Sequence, residues 1–244
     1  MNASNNRQKL KVITSGAFAA ALVKLLPAYI EKSGCEIELS FGSSLGAAPD
    51  SIPNRLANGE EFDVFCLAES ALEACSAQGH IVAGSGIGLV ESHIGAAVRL
   101  GEAAPDISTT EAFKRTLLAA KSVAHAASAS GIYLSTVVFP ALGIAEHMKL
   151  TARTIYGERV GAVVARGEAD LGFQQISELL PIEGIEIIGR LPEEFRRPFI
   201  FCAGIGATSK NQPQARDLLR FLASQAAGPI IRETGLDPLF PEVG

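Results

Sequence analysis

Three short stretches set serine and glycine where a β-rich run gives way to a turn: "TSGA" (14–17), "FGSSLG" (41–46) and "SASG" (128–131). A helix that starts at such a turn has unpaired backbone N–H groups and a partial positive charge at its first residues. Serine hydroxyls add donors without bulk, and glycine lets the backbone come close. That chemistry suits a carboxylate, a sulfate or another oxyanion. Each stretch taken alone reads more readily as an ordinary N-cap, because Ser, Thr and Gly are favoured there. Together, Ser15, Gly16 and Ala17, then Ser43 and Ser44, then Ser130 point to a bound anion. His125 lies at the mouth of the third turn, where an imidazole is placed to carry a proton. A half-buried strand-end histidine bonded to backbone is the commoner arrangement.

Other chemistry finds little support. The four histidines, His80, His93, His125 and His147, are scattered and show no metal-ligand spacing. The cysteines Cys35, Cys66, Cys75 and Cys202 form no CxxC pair, and buried free thiols are expected. "GSGIG" (84–88) lacks the GxGxxG spelling of a nucleotide loop and reads as a flexible crossover. No metal and no cofactor are expected.

The elements that must hold these turns repeat as strand, turn and helix. "LKVITS" (10–15) is β-rich, and Phe18, Ala21, Leu22, Leu25, Leu26 and Tyr29 then follow helical spacing. "CEIELSF" (35–41) alternates like a strand, a Gly/Ser/Pro-rich connection (42–54) follows, and "FDVFCLA" (62–68) reads as a buried strand. "SVAHAA" (122–127) looks like a short buried strand before "SASGIYLSTVVF". Ser108, with Glu111 three residues on, has the signature of a capping box. "ERVGAVVARGEADLGFQQ" predicts a helix, a turn at Gly167 and a strand ending at two glutamines. The pattern predicts an α/β fold with largely parallel sheets.

Two apolar, extended segments, 86–100 and 195–209, interrupt the helical pattern. If the chain crosses between domains at both, the first domain is residues 1–86 plus 198–244 and the second is 87–197. A chain of 244 residues is long enough for two such domains, and 48% hydrophobic with 19% charged residues describes a globular protein. A net charge of −5 argues against nucleic acid as the main partner. No window approaches the roughly 20 apolar residues that span a bilayer. The polar start "MNASNNRQKLKV" shows no signal-peptide run, so the chain reads as cytoplasmic, or as periplasmic if a leader has been removed.

In the order of its motifs the sequence resembles the type II periplasmic-binding-protein superfamily, and within it the molybdate-binding branch. The matching stretches are "LKVITSGAFAAAL", "SFGSS", "NGEEFDVFCLAE", "ASGIY", "ADLGFQQISEL" and the terminal "GLDPL". The resemblance implies two α/β domains with a ligand cleft between them. It carries the oxyanion-binding positions onto Ser15–Ala17, Ser44, Ser130, Arg159 and Gln175. Molybdate binders use neutral donors, a tyrosine among them, whereas here Gln175 takes the tyrosine position and "GER" (157–159) brings two charges. An arginine fork matches the two oxygens of a carboxylate, so an organic acid fits better than a metal oxyanion. The same branch includes the aconitate isomerases, which shift an allylic proton between trans- and cis-aconitate. That reaction needs a base, for which Glu158 is the first candidate and His125 the second. It also needs donors to hold the developing charge. The alternative expectation is a non-catalytic binding protein of the ABC-transporter type for an oxyanion or organic acid.

Overall fold

A computed structural model describes residues 9–44 and 50–241. The chain divides into two compact units, Met1–Glu91 with Ile200–Gly244, and Ser92–Phe199.

The first unit begins with β1 (Lys9–Thr14), α1 (Gly16–Ser33), β2 (Glu36–Phe41), α2 (Ile52–Ala57), β3 (Val64–Ala68), α3 (Glu69–Ala77) and β4 (Ile87–Ser92). The second holds β5 (Ile94–Arg99), α4 (Thr110–Ala119), β6 (Val123–Ala126), α5 (Ala129–Tyr133), α6 (Phe139–Ala141) and α7 (Ala145–Thr151). It continues with β7 (Ala152–Ile155), α8 (Val160–Ala165), β8 (Leu171–Gln175), α9 (Ile176–Leu179) and β9 (Ile185–Arg190). The chain then returns through β10 (Phe199–Ile205), α10 (Gln212–Leu222), α11 (Gly228–Glu233) and the short β11 (Asp237–Pro238).

The first sheet has the order β11-β4-β10-β3-β1-β2, and the second β7-β6-β8-β5-β9. β1 runs parallel to both β2 and β3, and β6 runs parallel to both β7 and β8. The expectation of largely parallel sheets needs correction. β10 lies antiparallel to β3, and β5 lies antiparallel to β8 and β9. The division between the units falls at the last residue of β4 and the first of β10. β4 is held in the first sheet between β11 and β10.

Burial follows the sequence pattern. β3 is buried along its whole length, as a strand covered on both faces is. α1 buries Phe18, Ala21, Leu22, Leu25, Leu26 and Tyr29 on one stripe and leaves Pro27 on the exposed face. Phe62 and Phe65 meet edge-on at 5.7 Å in the first core, and Phe113 and Phe173 at 5.8 Å in the second. Each such ring stabilises its core by about 1.5–3 kcal/mol through apolar burial. The four cysteines are free and buried, and burial pushes the Cys66 thiol up to about 12.

One helix start differs from expectation. The N-cap of α4 is Thr109, whose Oγ1 accepts from Ala112 N at 3.1 Å. Ser108 is drawn one turn back, its N–H and hydroxyl both donating to Asp106 Oδ1. The aspartate competes for the serine, which leaves the cap to the next hydroxyl.

Candidate functional site

The serines of the first unit gather at the carboxyl ends of its parallel strands, the edge at which open α/β sheets bind ligands. Ser15 follows β1 and is the N-cap residue of α1, with extended backbone angles (φ −84°, ψ 165°). Its N–H donates to Cys66 O on the neighbouring strand at 3.0 Å. Its hydroxyl does not cap the helix. Ser15 is 4% exposed, and its Oγ has no hydrogen-bond partner among the described residues. α1 carries no acidic residue in its first turn, where Gly16 and Ala17 sit, so nothing there offsets the positive helix end. Gly42 N donates to Thr14 O and draws the segment after β2 beside Ser15. Ser43 turns its carbonyl to Ile52 N at 2.9 Å. Ser44 is buried, and its Oγ accepts from Ala68 N at 3.3 Å, which leaves its own O–H to donate. Gly42–Gly46 also spells Gly-x-Ser-x-Gly around Ser44, but that signature belongs to a strand-to-helix elbow. The next described helix after Ser44 starts only at Ile52.

The second unit repeats the arrangement at the carboxyl ends of β6, β7 and β8. Ser128 is the N-cap of α5, and its Oγ lies 3.1 Å from the Oγ of the fully buried Ser130. Gly131 seats this turn on the end of β6, where a Cβ would come within 1.8 Å of Ala126 O. The helix then widens into one π turn, Leu134–Val138, a distortion that often accompanies function.

After β7, Gly157 takes a left-handed conformation (φ +73°) and Arg159 becomes the N-cap of α8. Val160 N donates to Oε1 of the buried Gln174 at 2.9 Å, which ties the start of α8 to the end of β8. Gln175 is 2% exposed. Its Oε1 accepts from Ser92 Oγ at 2.8 Å, while its Nε2 has no partner among the described residues. Held by its oxygen, the amide presents only donors, which is what an anion requires.

The two proposed bases sit in different surroundings. Glu158 is exposed, and its carboxylate takes both arms of Arg166 at 2.9 and 3.0 Å. Arg166 also pairs with Glu168, so Glu158 belongs to a surface charge network. His125 is buried in β6, its ring edge-on to Phe139, with Nδ1 3.5 Å from Ala126 O. Burial holds its imidazole below the usual histidine range, and the Ala126 carbonyl offsets this in part.

Glu178 was missed by the sequence reading. It lies in α9, just past the two glutamines, and is partly buried. Burial pushes its carboxyl up to about 7, although the Arg159 charge and a hydrogen bond from Gln174 pull the other way. Its one available signal was the short spacing from Gln174 and Gln175 in "FQQISEL". Among the described residues, no group of three or more His, Cys, Asp or Glu side chains is placed to hold a metal.

The profile of the bacterial extracellular solute-binding proteins matches residues 10–237. The chain belongs to that family. The chain is similar to an aconitate isomerase of a Pseudomonas species, with 41% identity over 94% of this chain and 88% of the relative. Among solved structures, it resembles the periplasmic molybdate-binding protein of Azotobacter vinelandii at TM-score 0.73 and 21% identity, over 96% of this chain and 100% of that one. The substrate-binding domain of a putative molybdenum ABC transporter from Clostridium difficile superposes at TM-score 0.70 and 19% identity, over 95% and 99% of the two chains. These likenesses establish the two-domain periplasmic-binding-protein fold. The family's description is extracellular and the Azotobacter neighbour is periplasmic, so the cytoplasmic expectation finds no support here. Among the described residues, no helix is long and apolar enough to cross a membrane.

Ser92→Ala should lower the unfolding free energy by about 1 kcal/mol or more, because the buried Gln175 Oε1 loses its donor. Urea denaturation checks it, with Ser92→Thr restoring the hydroxyl and most of the stability. An unchanged stability in Ser92→Ala would show that packing alone holds the amide.

Proposed function

We propose that this protein is an isomerase of a small tricarboxylate, shifting an allylic proton of aconitate. The observation that carries the reading is the 41% identity to an aconitate isomerase over nearly the whole chain. The unpartnered donors support it, since a buried hydroxyl and a buried amide N–H without acceptors are costly unless a ligand supplies them. Each unit taken by itself offers neutral donors: Ser15, Gly16, Ala17, Ser43 and Ser44 in the first, and Ser130 and Gln175 in the second. Arg159 adds the charged fork that favours a carboxylate over a metal oxyanion. Glu158 and His125 remain the candidate proton carriers named from the sequence. The Arg166 clamp on one and the burial of the other weigh against both. We infer that the reaction runs outside the cytoplasm, in line with the family's description as extracellular.

Incubation with trans-aconitate in deuterium oxide should change the isomer ratio and enter deuterium at the exchanging carbon. In parallel, cis- or trans-aconitate should raise the melting temperature, because a ligand bound only by the folded state stabilises it by mass action. Stabilisation by molybdate or sulfate alone, with no isomerisation, would leave a binding protein for oxyanions instead.

A further inference from the structure

The second unit holds a cavity of about 580 Å³ that shares no residue with the candidate site. It lies where β5 ends, where α4 runs past, and where the turn after α8 leads into β8. Leu171 opens β8 at this cavity, and Gln175 closes the strand at the candidate site. Four steps of extended chain put the two residues about 13 Å apart. β5 repeats the separation, since Ile94 pairs with Gln175 while Val98 and Arg99 line the cavity. The space exists because α4 turns alanines to it, Ala119 and Ala120, and Ala103 and Ala169 face it too. Thr116 Oγ1 donates to Asp106 O at 2.7 Å and ties the loop before α4 to the helix. Val98 and Leu171 are buried and give the cavity an apolar floor. Its volume is that of a site for a small organic molecule.

Four charged side chains line the same cavity: Arg99, Glu102, Arg115 and Asp170. Asp170 is already engaged, because its Oδ2 accepts from Lys121 N at 2.8 Å and from Ser122 N at 3.2 Å. Arg99 lies against the left-handed turn at Gly167, where a Cβ would meet its Nη1 at 3.3 Å. Glycine at that turn lets the guanidinium rest on the cavity wall. Asp106 takes the N–H and the hydroxyl of Ser108, and Arg115 is the weakest of the influences on it. Among the described residues, neither guanidinium makes an ion pair, and neither does the Glu102 carboxylate.

We propose that this cavity is a second ligand site, built for an organic monocarboxylate with an apolar body. An arginine fork matches the two oxygens of a carboxylate, and the cavity supplies two such forks without partners. Val98, Leu171 and the alanines take the hydrocarbon part out of water. With Asp170 engaged, the charges left are those of Arg99, Arg115 and Glu102, a surplus of one positive charge. One anionic group balances that surplus. A second would meet Glu102, and such repulsion separates this ligand from the tricarboxylate proposed for the other end of β8. The inference stands whether or not the protein is an isomerase.

The probe is hydrocinnamate, added to the full chain labelled for backbone amide NMR. The amide resonances of Ala119, Ala169 and Leu171 should shift, and those of Gln174 and Gln175 should stay. By titration calorimetry, Arg99→Ala and Arg115→Ala should each weaken hydrocinnamate by ~10-fold or more, the loss of a hydrogen bond to a charged group. The neutral hydrocinnamide and the dianion phenylsuccinate should bind the wild type more weakly than hydrocinnamate by a similar factor. Glu102→Gln should narrow the gap between phenylsuccinate and hydrocinnamate. Cavity resonances that stay put, or shifts at Gln174 and Gln175 instead, would overturn the proposal. So would an affinity for hydrocinnamate that survives both arginine substitutions. Both arginines are exposed, so the variants should fold. Should they not, equal affinity of the wild type for the acid and its amide would overturn the site on its own.

Discussion

Gly131→Ala lowers the unfolding free energy by about 3 kcal/mol or more and takes ligand binding with it. The added methyl group would sit 1.8 Å from Ala126 O, 2.9 Å from Ala126 C and 2.7 Å from His125 Nδ1. None of these is the free end of a flexible side chain. Ala126 and His125 are locked in β6, paired to Ile155 and Thr154 on one side, with His125 paired to Phe173 on the other. His125 is further pinned against Phe139. Relief requires lifting the start of α5, which carries Ser130 away from the strand end, or breaking the ladder. Either route disturbs the serine turn before it disturbs the rest of the unit. Urea denaturation measures the loss, and the aconitate-induced shift in melting temperature reports the site. A loss below about 1 kcal/mol would mean that the turn re-forms at a small distance from β6.

Arg159→Ala is expected to weaken binding of trans-aconitate by ~10- to 150-fold, the equivalent of the roughly 1.5–3 kcal/mol of a hydrogen bond to a charged group. Arg159→Lys keeps the charge but loses the planar fork, and should fall between the two. Isothermal titration gives the dissociation constants directly. Unchanged affinity would mean that Arg159 does not meet the acid.

The strands and helices could be read from short-range information. α1 buries the stripe that its spacing specifies, because a 3.6-residue repeat of apolar side chains has only one face to bury. Ser15, Ser128 and Arg159 are N-cap residues at strand-to-helix turns, in line with the strand–turn–helix reading. Long-range contacts decided the chemistry of the side chains at those turns. Glu158 stands next to Arg159, yet it is held by Arg166 from beyond the far end of α8. His125 precedes a serine turn, yet it is buried against Phe139. Gln175 presents its N–H group because Ser92, 83 residues earlier, holds its oxygen. The raised carboxyl of Glu178 is not written in its neighbours, since a carboxyl's proton affinity depends on how much water the fold removes around it. Backbone preference acts over a few residues and is written in their order, whereas desolvation and charge pairing act across space and exist only once the sheets have formed.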